Sequence, residues 1–145
     1  MTATTALRVG IEATPREFGP LTRQMFVRYA GASGDLNPMH YDDELARSAG
    51  YPSVFGQGML TAGLLGTFVT DWLGAGEIRR FAVRFREQVW PGDVITCTGR
   101  VVAIDGDRVS VELSAVRQTG GVAVTGTAEF TRNTSLGAAG APDPT

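Results

Sequence analysis

The stretch Gly58-Met-Leu-Thr-Ala-Gly-Leu-Leu-Gly-Thr-Phe-Val-Thr-Asp-Trp-Leu73 decides how this chain folds. Its apolar residues fall on nearly the whole circumference of a helix, whereas a surface helix carries an apolar stripe along one side only. At about 1.5 Å per residue, such a helix is roughly 24 Å long, which is enough to cross a small sheet. The pattern therefore predicts a long helix that the rest of the chain wraps. Gly63 and Gly66 lower its helix propensity, so we expect a strand, a partner helix or a ligand to approach closely there.

After this helix the sequence changes to a period of two. Phe81, Val83 and Phe85 alternate with arginines, a pattern typical of a strand with one buried face. Turn residues at 91–93, 105–107 and 120–121 divide residues 78–132 into four segments, which we expect to pair as successive antiparallel strands. A long buried helix followed by four such strands predicts an α+β domain in which an antiparallel sheet wraps a central helix. That arrangement is called a hotdog fold, and its open faces predict a dimer.

Shorter elements are expected upstream of the central helix. Apolar residues at every second position, Leu7, Val9 and Ile11, favour a short edge strand. Thr22 suits the N-cap of a short amphipathic helix that ends by Gly34. Asp42 suits the N-cap of a second short helix over residues 44–49, so we interpret it as a capping residue and not as a catalyst.

Chain length and charge limit the number of domains and the classes of function that are possible. A chain of 145 residues predicts one domain, over residues 1–132, and the Gly, Ala and Pro content of residues 133–145 predicts a flexible tail. All thirteen basic residues are arginine, which excludes a Schiff-base lysine and the lysine of a phosphate-binding loop. A net charge of −2 without an arginine cluster argues against nucleic acid as a partner.

Several other classes of site are also not expected. Cys97 is the single cysteine, so no internal disulfide can form, and a strand pattern around it predicts a packed small hydrophobe. One histidine and one cysteine cannot make the usual transition-metal sites, and Asp35-x-Asn37 lacks the later ligands of a calcium loop. We expect no metal and no cofactor. Residues 59–73 are interrupted by polar side chains and are shorter than a bilayer span of about 20 residues, so no membrane segment is expected. The start of the chain carries no export signal, which predicts a cytoplasmic protein.

The stretch Gly34-Asp-Leu-Asn-Pro-Met-His40 is the candidate for chemistry. It places a carboxylate and the only histidine of the chain five residues apart. Pro38 disfavours a continuous helix, so we expect a loop or turn. Asp35 and His40 have the properties of an acid/base pair, since an imidazole titrates near neutrality. The alternative is that Asp35 and Asn37 are ordinary turn formers and that His40 is an exposed loop residue.

This stretch, extended to Tyr29, resembles the MaoC-like, R-specific enoyl-CoA hydratase family. Asp42, residues 58–64 and Val89-Trp-Pro-Gly-Asp93 extend the resemblance over most of residues 20–130. Within that family the sequence is most similar to the catalytic subunit of type II fatty-acid synthase dehydratases. Two positions differ from the family pattern: Gln57 stands where histidine or proline is more usual, and Gly66 where some members carry serine.

The resemblance implies a hydro-lyase that acts on acyl-CoA or acyl-carrier-protein thioesters, as a homodimer or a heterodimer. It implies that Asp35 and His40 are the catalytic pair, that Asn37 and Pro38 order the loop between them, and that the backbone amide of Gly58 contributes to an oxyanion hole. The sequence supports the last role, because a glycine at a helix N-terminus exposes its amide where the helix dipole favours negative charge. Weaker candidates for substrate contact are Tyr29, Met59, Arg80, Arg84 and Arg86. The three arginines either meet the phosphates of coenzyme A or a carrier arm, or form a solvated strand face.

Two rival functions belong to the same fold. A hotdog thioesterase typically places a catalytic carboxylate in the early turns of the central helix, and residues 56–70 contain no Asp or Glu. A non-catalytic or partner-dependent acyl-binding subunit would keep the fold and lose the pair. The presence of Asp35 and His40 favours the hydratase interpretation over both.

Overall fold

A computed structural model of the chain describes residues 7–132, so the tail expected over residues 133–145 lies outside the described residues. One sheet and three α-helices make up the structure. The strands are β1 (Arg16–Phe18), β2 (Ile78–Phe85), β3 (Ile95–Asp105), β4 (Arg108–Arg117) and β5 (Val122–Thr131). The helices are α1 (Arg23–Ser33), α2 (Asp43–Ser48) and α3 (Gly58–Leu73), with short 3-10 helices at Pro38–His40 and Ala75–Glu77. None of the described helices is long and apolar enough to cross a membrane.

The sheet is antiparallel throughout, with the strand order β1-β3-β4-β5-β2. The four segments expected in residues 78–132 are confirmed, and so is the α+β hotdog arrangement around α3. The expected pairing of successive strands is wrong for β2, which pairs with β5 at the far edge of the sheet. Tight turns join β3 to β4 and β4 to β5, whereas the nine residues 86–94 are long enough to carry the chain from one edge to β3, near the other.

The expected strand over residues 7–11 is also wrong. A turn closes there, with the Ile11 amide donating to the Arg8 carbonyl and Gly10 at a φ of +89°, which favours glycine. The backbone then bonds to β3, since the Ala13 amide donates to the Gly99 carbonyl at 2.9 Å. Regular pairing begins only at Arg16, after Pro15, as β1.

Helix α3 has the expected bounds, and one side of it is fully covered. Its buried residues face the sheet: Thr61, Ala62, Leu65, Phe68 and Val69. The other side is not wrapped by the described chain, because Met59 is 57% exposed and a Cβ added at Gly63 would meet no atom within 4 Å. Phe81 and Phe85 of β2 point toward this side of α3, yet they remain 38% and 50% exposed. The expectation that this face of β2 is buried is therefore not met within one chain, because β2 is an edge strand.

The two shorter helices form where the sequence predicts, to within one residue at each end. The Thr22 side chain accepts a hydrogen bond from the Met25 amide at the start of α1, and Gly34 ends that helix in the left-handed conformation at a φ of +77°. Asp42 caps α2 by accepting from the amides of Glu44 and Leu45. The capping role expected for Asp42 is thus confirmed, and α2 begins one residue earlier than expected.

Cys97 is fully buried in β3. Burial raises the pKa of its thiol to about 12, although the nearby charge of Arg16 acts in the opposite direction. The thiol therefore stays protonated at neutral pH, and Cys97 packs as a small hydrophobe, as expected.

We expect Gly99→Ala to destabilise the fold, because its Cβ would lie 2.8 Å from the Trp72 ring and 3.0 Å from Leu113. Overpacking of this kind costs about 1–3 kcal/mol. The matched control is Gly31→Ala in α1, where an added Cβ meets no atom of residues 7–132 within 4 Å. This variant should gain roughly 0.5–1 kcal/mol of stability. Guanidinium denaturation measures both free energies of unfolding. Equal stability of the two variants would contradict the described packing of β3 against α3.

Candidate active site

The loop that carries Asp35 is held by short, local hydrogen bonds. The Ser33 hydroxyl donates to the Tyr29 carbonyl at 2.7 Å and accepts from the Asp35 amide at 3.1 Å. The Asn37 amide then donates to Asp35 Oδ1 at 3.3 Å, and Asn37 Oδ1 accepts from the Met39 amide at 3.1 Å. Small polar side chains of this kind substitute for backbone partners in turns. The hydrogen bonds that hold this loop therefore come from the loop residues themselves and from the last turn of α1.

Pro38 begins a single 3-10 turn that ends at His40. Its fixed φ suits the first position of such a turn, where a missing amide donor costs nothing. The Pro38 carbonyl accepts from the amides of Tyr41 and Asp42. The Tyr41 hydroxyl donates to the Leu36 carbonyl at 3.0 Å, across the outside of the loop. As expected, this stretch is a turn and not a continuous helix.

The His40 ring is buried, with 7% of the residue exposed, and its orientation is fixed. Its Nδ1 lies 2.7 Å from the Phe55 carbonyl oxygen, and its Nε2 lies 3.6 Å from Asp35 Oδ2. Because a carbonyl oxygen can only accept, Nδ1 must carry a hydrogen. In the neutral ring, Nε2 then has a free lone pair that faces the carboxylate.

Two hydrogen-bond acceptors thus face each other across 3.6 Å when His40 is neutral, too far apart for a direct hydrogen bond. A water molecule or a substrate hydroxyl, which carries the missing hydrogens, fits such an arrangement. The Asp35 side chain is 45% exposed, so this position can be reached from solvent. The two residues that the sequence selects are therefore brought together in a geometry suited to proton transfer.

An aromatic cluster supports the other side of the His40 ring. The Phe55 ring lies edge-on to His40 with a centroid distance of 5.3 Å, and Tyr51 and Trp90 pack against Phe55 at 4.8 and 5.9 Å. The Gly56 amide donates to the Val89 carbonyl at 2.9 Å and fixes residues 89–93 beside this cluster. Phe55 and Trp90 were not selected as site residues from the sequence. The contribution of Phe55 is a backbone carbonyl, which no side-chain pattern could indicate.

Asp93 anchors the segment that carries Trp90. Its carboxylate is buried and accepts from the Trp90 amide at 2.8 Å, from Arg117 Nε at 2.7 Å and from Gln118 Nε2 at 2.9 Å. Burial acts to raise the pKa of this carboxyl, but the hydrogen bonds from Arg117, Trp90 and Gln118 and the charge of Arg117 outweigh it, so the pKa lies below its usual value. The sequence indicated only a turn at this position, since its partners are distant in the chain.

The Gly58 amide lies at the N-terminus of α3, three residues after Phe55. A chain of three residues spans at most roughly 10 Å, which limits how far this amide lies from the residue whose carbonyl holds His40. Gln57 is the N-cap but makes no side-chain capping bond, so it does not occupy the first amides of the helix. Gly58 is exposed, and the Phe85 ring lies 3.0 Å from the position of an added Cβ. The helix start thus presents amide donors and a partial positive charge at the surface.

The weaker candidates separate into two groups. Met59 is exposed beside Gly58, and Tyr29 is half-buried in α1, one turn before Ser33. The three arginines lie elsewhere. Arg80 is 3.9 Å from Glu129, and Arg84 and Arg86 line a groove of about 870 Å³ with the outward-facing side chains of the sheet. Side chains alternate along a strand, so Arg80 and Arg84 of β2 face away from Phe81, Phe85 and α3, and Arg86 follows the end of the strand. The structure does not bring them together with Asp35 and His40 within one chain.

A second, smaller cavity of about 310 Å³ lies on the open side of α3. It is bounded by the helix, by the turn that follows it and by the start of β2. Its lining is mainly apolar and includes Gly66, Val69, Ile78 and Phe81. Because Gly66 has no side chain, the Phe81 ring can approach the helix backbone there, and among residues 7–132 it alone lies within 4 Å of the position of an added Cβ, at about 3.9 Å.

The chain is similar to proteins of known sequence family and known structure. A family model described as "MaoC like domain" matches residues 8–123. The fatty acid synthase subunit beta of Aspergillus oryzae is 34% identical over 112 residues, which are 74% of this chain but only 6% of that subunit. The 3-oxo-4,17-pregnadiene-20-carboxyl-CoA hydratase beta subunit of Mycobacterium tuberculosis is 29% identical over 110 residues, 75% of this chain and 84% of that subunit. An (R)-hydratase from A. caviae involved in PHA biosynthesis superposes with a TM-score of 0.80 at 26% identity, over 89% of this chain and 99% of that chain.

We expect Asp93→Asn to lower stability by about 1–3 kcal/mol, because it weakens the charged hydrogen bonds that a buried carboxylate accepts. The pKa of Asp93 is lowered on folding, so its contribution is complete above the unfolded value of about 3.9 and is lost as the pH falls through the folded value. The stability gap to wild type should therefore be constant between about pH 5 and pH 7 and narrow in acid. Urea denaturation across this range measures the gap, with Glu112→Gln on the exposed sheet face as the control. A gap that grows as the pH falls would contradict the assignment.

Proposed function

Because the chain belongs to the MaoC-like dehydratase family, a family of hydratases and dehydratases, we propose that it catalyses the reversible syn hydration of trans-2-enoyl thioesters to (R)-3-hydroxyacyl thioesters. The substrate is carried on coenzyme A or on an acyl-carrier protein. One observation carries the proposal: the Asp35 carboxylate and the His40 lone pair face each other across 3.6 Å. A hydro-lyase needs such a pair, because it must take a proton from water and place one on carbon.

The reaction steps follow from the two acceptors. A water molecule donates one hydrogen to Asp35 and one to His40 Nε2, which leaves the lone pairs of its oxygen free to add to Cβ of the enoyl group. As the C–O bond forms, one of the pair takes a proton and the double-bond electrons move to the thioester oxygen. The same pair then returns the proton to Cα as the enolate collapses. Because the proton leaves and returns on one face of the substrate, H and OH add syn, and dehydration is the reverse.

The developing charge on the thioester oxygen requires fixed donors. We assign this role to the Gly58 amide at the N-terminus of α3, where the helix dipole adds a favourable potential. The glycine allows a close approach from the side that Phe85 does not cover. Helix α3 thus supplies the oxyanion donor, and the loop with Asp35 and His40 carries out both proton transfers.

The acyl chain and a partner subunit belong on the open side of α3. The Phe85 ring lies next to Gly58, the Phe81 ring lies next to Gly66, and the 310 Å³ cavity follows, so an apolar path runs along the helix from the proposed oxyanion site. We propose that the acyl chain takes this path and that a second chain covers it by packing on Met59, Phe81 and Phe85. The free edge of β2 supports this arrangement. A second copy of this chain or a different subunit can fill that place, since the mycobacterial relative is described as one subunit of a larger enzyme.

We expect Asp35→Asn to lower turnover of trans-2-enoyl-CoA about 10²- to 10⁴-fold, the usual contribution of a positioned acid or base. The melting temperature should stay close to that of wild type, because the Asp35 side chain is 45% exposed. The control is Glu44→Gln, the same chemical change at an exposed carboxylate of α2. Loss of the enoyl-thioester absorbance measures turnover. A folded Asp35→Asn variant with wild-type turnover, or release of free coenzyme A instead of hydration, would contradict the proposal.

A pair of substitutions at Gly58 isolates its amide. Gly58→Ala and Gly58→Pro add the same Cβ against the Phe85 ring, but only proline removes the N–H. Proline is tolerated at the first helical position, and the extended conformation of Gln57 suits a residue before proline. We expect kcat of the proline variant to be about 10²- to 10³-fold below that of the alanine variant, as for the loss of one oxyanion donor. Equal kcat values in the two folded variants would exclude the Gly58 amide from the oxyanion hole.

A further inference from the structure

Gln57 is one of the largest fully buried side chains of the described residues, although it is polar and lies directly before Gly58. Its Nε2 donates to the Phe26 carbonyl oxygen at 2.9 Å, across 31 positions of sequence. Phe26 is itself completely buried, in the middle of α1. A buried side-chain amide therefore joins the start of α3 directly to α1.

The orientation of this amide follows from its partner. The Phe26 carbonyl can only accept, so the NH₂ group of Gln57 must face it, since the opposite orientation would set two acceptors against each other. Gly56 strengthens the contact, because an added Cβ would lie 2.9 Å from the Phe26 ring and 2.7 Å from Val89. Residues 56 and 57, which precede α3, thus pack tightly against α1. The hydrogen bond from Gln57 to Phe26 fixes their position along α1.

The Gln57 side chain is polar although it is buried and one of its polar atoms has no described partner. Its Oε1 is buried without a hydrogen-bond partner among residues 7–132, and so is the Thr61 hydroxyl, one helical turn later. Unpaired buried polar atoms are destabilising, and apolar side chains of similar size would avoid this cost. The bond from Nε2 to α1 is therefore the feature of Gln57 that an apolar residue could not replace.

The two elements joined by this bond carry the two halves of the proposed site. Helix α1 ends at Ser33, which holds the Asp35 amide, and the sequence continues into the loop with His40. Helix α3 begins with the Gly58 amide, the residue after Gln57. We propose that Gln57 is a positioning residue that sets the separation between the acid/base loop and the oxyanion amide. This inference rests on the proposed function.

The test compares two substitutions that replace a buried polar side chain by an apolar one of similar size. Gln57→Met removes the bond to α1, whereas Thr61→Val removes only an unpaired hydroxyl from the same helix face. We expect Gln57→Met to lower kcat for trans-2-enoyl-CoA about 10- to 100-fold with KM within threefold of wild type, because ground-state binding is kept and alignment is lost. Thr61→Val should keep both constants within twofold.

A second readout does not depend on activity. His40 is the only histidine, so its ring gives a single set of NMR signals. We expect Gln57→Met to shift the His40 ring signals and the Asp35 amide signal, and Thr61→Val to leave them unchanged. If wild type turns over substrate and the two variants match in kcat and in these signals, the positioning role is wrong. If wild type turns over no enoyl thioester, the proposed function is wrong, and the NMR comparison alone decides whether Gln57 positions the loop.

Discussion

The hydrogen bond from His40 Nδ1 to the Phe55 carbonyl holds the candidate site together. It fixes which ring nitrogen carries the hydrogen and turns the other nitrogen toward Asp35. It also ties the loop to the segment that leads, three residues later, into the first amide of α3. Phe55 is in turn held by Tyr51 and Trp90, so the position of a backbone carbonyl rests on an aromatic cluster.

The fold divides the chemistry between a loop and a helix because each supplies what the other lacks. Helix α3 is packed against the sheet by apolar residues and carries no carboxylate near its start, so its first turn offers a substrate backbone amides and no acid/base group. The loop between α1 and α2 is exposed at Asp35 and supplies titratable groups. Three contacts bring these parts together: the His40 ring with the Phe55 carbonyl, the Phe55 amide with the Met39 carbonyl, and the Gln57 side chain with the Phe26 carbonyl. The sheet face opposite α3 takes no part in them, which separates Arg84 and Arg86 from the pair.

Local features were predictable from the sequence and distant pairings were not. The bounds of α3 follow from its apolar residues and from Gly58 and Gly74 at its ends, and the caps at Thr22 and Asp42 depend on neighbours within three residues. The place of β2 at the sheet edge depends on β5, whose paired residues lie about 40 to 50 positions later, and no turn signal encodes it. The sequence does not predict the exposure of Phe81 and Phe85. Apolar residues at alternate positions indicate that one face of the strand becomes buried, but they do not indicate whether the same chain or a partner chain covers it. For the site, the Asp35 and His40 pair could be selected from its motif, whereas the Phe55 carbonyl and the Asp93 network depend on tertiary contacts.

A crystal structure of the protein with (R)-3-hydroxybutyryl-CoA tests the central claim most directly, which is that loop and helix act on one thioester. We expect the 3-hydroxyl to lie within about 3.2 Å of both Asp35 Oδ2 and His40 Nε2, and the thioester oxygen within about 3.2 Å of the Gly58 nitrogen. The C4 methyl group should point past Phe85, in the direction of the cavity at Gly66 and Phe81. Binding of the thioester in the groove lined by Arg84 and Arg86, with the Asp35 and His40 pair empty, would contradict the account.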